Sequence, residues 1–122
     1  MMLFSGIFRM AVALISMAAT VQAYWGRATW YYDGVGACGG WNMNADYVVA
    51  LAPSEYYNNG GHCNKMIRDT RRIDQGRSIT AKVVDLCPSC GSGAIDLSLA
   101  AFQALAPLEM GVINVEWDFI WS

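Results

Sequence analysis

Val83-Val84-Asp85-Leu86-Cys87-Pro88-Ser89-Cys90-Gly91-Ser92-Gly93-Ala94-Ile95-Asp96-Leu97-Ser98 sets two aspartates, two cysteines and two glycines between a β-rich run and a short amphipathic helix. The density of turn formers predicts a tightly folded loop that holds Asp85 and Asp96 near one another. Upstream, Ser78 to Asp85 alternates, with Ile79, Ala81 and Val83 facing one way, the signature of a half-buried strand. Downstream, Ser98 is placed to cap a helix over Leu99 to Ala106, whose apolar stripe includes Leu99, Phe102 and Leu105; Pro107 closes it. Val112 to Trp121 reads as a last strand, with Val112, Asn114, Glu116 and Asp118 on one face and Ile113, Val115, Trp117 and Phe119 on the other.

Toward the N-terminus the same idiom continues. Ala28 to Tyr32 is β-branched and aromatic, and Asp33 to Gly40 is a glycine-rich loop. Tyr47 to Ala52 is an apolar run that stops at Pro53, and Ser54 to Tyr57 reads as a helical turn. Asn58-Asn59-Gly60-Gly61 and Gln75-Gly76-Arg77 are turn signals on either side of a strand over Lys65 to Asp69. Arg68, Arg71 and Arg72 with Asp69 and Asp74 read as a solvated, mixed-charge hairpin. The sum is one mainly-β domain with one or two short helices.

Residues 1–23 read as a signal peptide. Arg9 is their only charge, Met10 to Val21 is apolar apart from Ser16 and Thr20, and Val21-Gln22-Ala23 has small residues at −3 and −1 of a cleavage site. The run is short for a membrane span, which takes about 20 apolar residues. The mature domain is then 24–122, secreted, with no membrane association after cleavage. It carries seven Lys and Arg against ten Asp and Glu. An acidic domain without a basic stripe excludes nucleic acid as a partner, because that binding rests on phosphate neutralisation.

All four cysteines, Cys38, Cys63, Cys87 and Cys90, lie in the mature part, and an even count in a small exported chain points to two disulfides with three possible pairings. Cys63, Cys87, Cys90 and His62 also form a zinc-type ligand set, which an oxidising compartment disfavours. Cys87-Pro88-Ser89-Cys90 lacks the βαβ context of a thioredoxin-like site. No metal or cofactor is expected, and no Asn-x-Ser/Thr sequon is present.

Gly26-Arg27-Ala28-Thr29-Trp30-Tyr31-Tyr32-Asp33, Gly36-Ala37-Cys38-Gly39, Val83 to Cys90, and Ala94 to Ser98 with Ala101-Phe102 together resemble the double-psi β-barrel superfamily. Expansin N-terminal domains, barwin, kiwellins, small endoglucanases and rare-lipoprotein-A-like domains belong to it. The motifs run in family order across residues 26 to 121. The resemblance implies a mainly-β, six-stranded double-psi β-barrel with one or two short helices. It also implies the pairing Cys38–Cys87, after barwin, leaving Cys63–Cys90.

The same resemblance nominates a groove of Thr29, Tyr31, Asp85, Asp96 and Trp41. Asp96 matches the general acid of the related endoglucanases and an aspartate that expansins need. Asp33 falls near the endoglucanase base, and Asp85 matches a second expansin aspartate. Each has a plainer reading: Asp96 and Asp85 as acceptors of backbone N–H bonds, Asp33-Gly34 as a turn. Trp30, Trp41, Tyr56 and Tyr57 are candidates for a stacking surface, of which one or two are expected to be exposed. His62 reads as a solvated loop residue. Lytic rare-lipoprotein-A enzymes need a histidine where this chain has Ala52-Pro53-Ser54-Glu55, which argues against peptidoglycan cleavage.

The expected function is therefore a monomeric, non-hydrolytic expansin-like or barwin-like binding protein. Its partner is a polysaccharide (glucan or chitin) or a secreted protein, as for an effector or protease inhibitor. Ending at Ser122, the chain is expected to lack the carbohydrate-binding second domain of expansins. The enzymatic alternative is glycoside hydrolysis with Asp96 as acid and Asp33 as base, the one pair that resembles an inverting hydrolase, whose carboxyls lie about 6.5–9.5 Å apart with water between.

Overall fold

A computed structural model describes residues 23–58, 61–73 and 76–120. Apart from Ala23, the leader segment lies outside the described residues, as do Asn59, Gly60, Asp74 and Gln75 of the turn signals and Trp121 of the last strand. The elements are β1 Tyr24–Tyr31, β2 Val48–Leu51, α1 Pro53–Tyr56, β3 Met66–Arg71, β4 Ser78–Leu86, β5 Ile95–Ser98, α2 Leu99–Gln103, a 3₁₀ turn at Leu108–Met110, and β6 Ile113–Ile120.

The strands close into a barrel in the order β1-β5-β2-β4-β3-β6. Two neighbouring pairs are parallel, β1 with β5 and β2 with β4. Parallel pairs cannot be joined by hairpins, so the chain must cross over the barrel between them. The crossings bring backbone against backbone. A Cβ at Gly36 would collide with the Val84 carbonyl of β4, and one at Gly93 (φ +85°) with the Trp25 carbonyl of β1. Glycine is the residue that fits at both.

Strand alternation fills the interior with Val49, Leu51, Ile67, Ala81, Val83, Ile95, Leu97, Val115 and Trp117, and Phe102 and Leu105 join the same cluster. The Trp117 indole N–H donates to the Gly93 carbonyl at 2.9 Å, tying the largest core side chain to a crossing loop. The expected cap is present: Ser98 Oγ accepts the Ala101 N–H. The helix is shorter than its apolar stripe suggests. After Gln103 the N–H groups of Leu105 and Ala106 both converge on the Phe102 carbonyl, which tightens the chain ahead of Pro107. β5 was not evident as a strand, yet it sits between β1 and β2.

The disulfides correct the expected pairing. Cys38 bonds Cys63 and Cys87 bonds Cys90, in place of Cys38–Cys87 and Cys63–Cys90. The loops of Cys38 and Cys63 both cross the middle of β4, where Cys38 N–H meets the Val84 carbonyl and Asn64 N–H meets that of Val83. Their Cα atoms come within 5.7 Å. Cys87 lies farther on, its N–H donating to the Leu51 carbonyl of β2, and a turn returns Cys90 to it. The two bridges differ in the loop each closes, spanning 25 and 3 residues. Chain-entropy arithmetic then assigns about 3.5 kcal/mol to Cys38–Cys63 and under about 2 kcal/mol to Cys87–Cys90. Urea unfolding of Cys38→Ala/Cys63→Ala and Cys87→Ala/Cys90→Ala should therefore show the first pair losing more; equal losses would refute this ranking.

Asp69 is a second correction. Its strand phase, shared with Ile67, turns it inward between Ile79 of β4 and Trp117 of β6, and it is 0 % exposed. Among the described residues neither carboxyl oxygen has a hydrogen-bond partner. Burial pushes its pKa up to about 7. The folded state thus holds a proton that the unfolded chain releases near pH 4. Stability is full below about pH 4, falls by about 1.4 kcal/mol per unit as pH rises toward 7, and levels off above. Chemical denaturation across pH 4 to 8 should show this slope, and Asp69→Asn should reduce it by about one proton. An unchanged slope in the variant would place the proton elsewhere.

Candidate functional site: an acidic strip along strands β1 and β5

Alternation along β1 turns Thr29 and Tyr31 away from the core, and the parallel register sets Thr29 beside Asp96 of β5. Thr29 Oγ1 donates to Asp96 Oδ1 at 2.9 Å. The Tyr31 hydroxyl donates to Asp85 Oδ2 at 3.4 Å. The other oxygen of Asp85 accepts the N–H groups of Ala37 and Leu86, each at 2.8 Å, so this carboxylate fastens the first glycine loop to the end of β4. Asp33 donates its backbone N–H to Asn44 Oδ1 at 2.8 Å, while its own Oδ2 is buried without a partner among the described residues.

Asp33 and Asp96 lean the same way. Burial raises Asp33 to about 6, against a stabilising bond from Tyr31, and the charges of Asp85, Asp46 and Asp96 add to the rise. Burial also raises Asp96, with the Thr29 hydroxyl opposing and the charge of Asp85 adding. Tyr31 is held above the usual phenol range by burial and by Asp33, Asp85 and Asp96. The fold therefore brings Thr29, Tyr31, Asp33, Asp85 and Asp96 into one electrostatically coupled strip.

Trp41 belongs to the same loop as Asp33. It is 71 % exposed, and its ring covers the side of Gly34. Among the described residues no hydrogen bond or ring contact joins it to Asp85 or Asp96. Of the other aromatics nominated, Tyr57 is exposed, whereas Tyr56 is buried with its hydroxyl beside Cys63 Sγ, and Trp30 donates its indole N–H to the Leu108 carbonyl. Tyr32, which the sequence reading passed over, is exposed and edge-on to Trp30.

His62 also departs from expectation. It is 5 % exposed and stacked on Phe119 at 4.2 Å, and burial, then the charge of Lys65, lowers its pKa. Glu55 was overlooked as a structural group. It is buried in α1, where it accepts from Ser54 and Ser92 hydroxyls and the Gly93 N–H, and so anchors the second crossing loop. Its place just after Pro53, in a first helical turn, was the available signal.

The family model of the double-psi β-barrel, described as lytic transglycolase, matches residues 24–117. The chain belongs to the double-psi β-barrel family. An EG45-like domain containing protein from Citrus jambhiri is 37 % identical over 120 residues, with 89 % of each chain covered. A papain inhibitor from Streptomyces mobaraensis is 37 % identical over 106 residues, covering 81 % of this chain and 73 % of that one. A mutant of Clavibacter michiganensis expansin, solved in complex with cellohexaose, superimposes with a TM-score of 0.71 at 25 % identity, covering 82 % of this chain and 51 % of the expansin.

The Thr29 hydroxyl opposes the upward shift of Asp96, so Thr29→Val should move the Asp96 titration to higher pH, read from its side-chain carboxyl in ¹³C NMR. A shift downward, or none, would show that this hydroxyl does not favour the charged form.

Proposed function

We propose that the protein is a secreted, non-hydrolytic binding protein whose acidic strip, with Trp41 at its flank, engages neutral wall polysaccharide of the glucan or chitin type. The observation that carries this reading is how the carboxylates are held: Asp96 by the Thr29 hydroxyl and Asp85 by loop N–H groups, with Asp33 and Asp96 both raised. A hydrolase needs environments that push its acid and base apart. Here both carboxyls are raised, and the candidate base, Asp33, would be largely protonated in mildly acidic surroundings. Asp85 is in turn committed to the loop through two N–H bonds. What the strip offers is a row of half-buried hydroxyl and carboxyl groups suited to sugar hydroxyls, next to an exposed indole suited to a sugar face. The likeness to an expansin solved with cellohexaose supports the same reading.

A second reading, a protein ligand, is favoured by one observation: the papain inhibitor relative is matched along most of its length and shares the barrel, with a TM-score of 0.72.

Titration with cellohexaose and chitohexaose, beside an assay of papain inhibition, divides these readings. Oligosaccharide binding should weaken about tenfold, or about 1.4 kcal/mol, in Trp41→Ala and in Asp96→Asn. Inhibition of papain without oligosaccharide binding would move the assignment to the protein ligand. Release of reducing sugar from soluble glucan, abolished in Asp96→Asn, would overturn the non-hydrolytic reading.

A further inference from the structure

A cleft of about 430 Å³ opens on the β1–β6–β3 wall, away from the acidic strip, and Trp25, Arg68, Arg72, Thr70, Glu116 and Asp118 contribute to its lining. That volume is in the range of small-ligand sites, about 300–1,000 Å³. Strand register builds it. Trp25 of β1 and Thr70 of β3 both pair with Glu116 of β6, making one row across three strands, and Arg68 pairs with Asp118 in the next row. Trp25 shares the outward face of β1 with Thr29 and Tyr31, so the cleft and the strip occupy the two ends of one strand. Tyr31 lies six positions beyond Trp25, about 20 Å of extended chain.

The side chains here are held ready without being used up. Trp25 is 54 % exposed, and the Arg72 guanidinium lies 4.4 Å from its ring centroid, an arrangement that fixes both groups. The backbone N–H of Arg72 is anchored to the Asn114 carbonyl. Arg71 is committed elsewhere, donating to the Leu105 carbonyl and to Met110 Sδ. Arg68 and Arg72, by contrast, form no ion pair with Glu116 or Asp118 among the described residues, although Arg68 and Asp118 are cross-strand neighbours.

We propose that this cleft binds sugars that carry a carboxylate, that is, uronic-acid oligosaccharides. Each group then has a counterpart. The indole of Trp25 receives the apolar face of the ring. The guanidinium forks of Arg68 and Arg72 match the planar carboxylate, which they can hold with paired, charge-assisted bonds. Glu116 and Asp118 accept bonds from ring hydroxyls, and Thr70 adds a hydroxyl of its own. A compact inorganic anion makes no use of the aromatic wall or of hydroxyl acceptors. A nucleic acid is opposed by the same carboxylates and by the formal charge of −2 on the chain. The acidic strip disfavours a uronate, so one end of β1 would take neutral sugars and the other acidic ones.

The test is titration of ¹⁵N-labelled protein with the trisaccharide of galacturonate, its fully methyl-esterified form, cellotriose and inorganic sulfate. The free acid should shift the Trp25 indole N–H signal, and raising salt should weaken that response. Arg68→Gln and Arg72→Gln should each weaken binding at least about tenfold, and Arg68→Lys, which keeps the charge and loses the fork, should fall between. Both arginines are exposed, and unchanged amide spectra would confirm that the variants fold. The ester and cellotriose should bind at least about tenfold more weakly than the acid. The proposal is overturned if ester and acid bind alike, if sulfate reproduces the response, if the glutamine variants bind as the parent does, or if the acid fails to bind.

Discussion

Two places where one stretch of backbone lies directly on another determine what the rest of this barrel can be. At Gly36 the first loop presses on the Val84 carbonyl, and at Gly93 the second presses on that of Trp25. Without these contacts the parallel pairs β1–β5 and β2–β4 could not share one small closed sheet. The polar chemistry is arranged around them. Asp85 receives the Ala37 N–H next to the first crossing, and Glu55 receives the Gly93 N–H at the second. The Cys38–Cys63 bridge lies over the first, and Trp117 donates its indole N–H into the second. Asp85, which resembles a groove aspartate in sequence, is thus also a fastening of this architecture.

That division of labour shapes the site. Asp85 spends one oxygen on loop backbone, while Asp96 is held by Thr29 and Asp33 retains an unbonded, buried oxygen. Burial first, and then the charge of neighbouring carboxylates, raises the proton affinity of Asp33 and Asp96. The outcome is a strip that donates as well as accepts hydrogen bonds in mildly acidic surroundings. Under the proposed reading, such a strip is better suited to hydroxyl-rich surfaces than to dividing acid from base.

Much of this was legible in the chain, for identifiable reasons. β4 and β6 announced themselves because barrel burial imposes a period of two, and Ile79, Ala81, Val83 and Ile113, Val115, Trp117 obey it. Ser98 was readable as a cap because its neighbours change period there. β5 was hidden: it has only four residues, Asp96 faces outward, and its last residue doubles as the cap of α2. Asp69 and His62 were misread because charge type was given more weight than position. The alternation Ile67-x-Asp69 does turn the carboxyl inward, whereas His62 is buried by a ring stack that no local pattern encodes. The disulfide pairing depends on which loops cross over β4, a relation in space that spacing along the chain cannot express. The aromatic and arginine cleft was legible only as scattered charges, since its rows exist across three strands and not along any one of them.

Closure of the sheet has a consequence for how any partner is read. Every described strand of the barrel has a neighbour on each side, and where β1 pairs with β5 over Ala28–Tyr31 and with β6 over Tyr24–Ala28, only short stretches of edge are left to an incoming chain. A protein ligand, a protease included, thus finds little edge on which to extend the sheet with a segment of its own. Recognition has to pass through side-chain tips and the ridges of the connecting loops, which leaves the scaffold indifferent to what those surfaces come to carry.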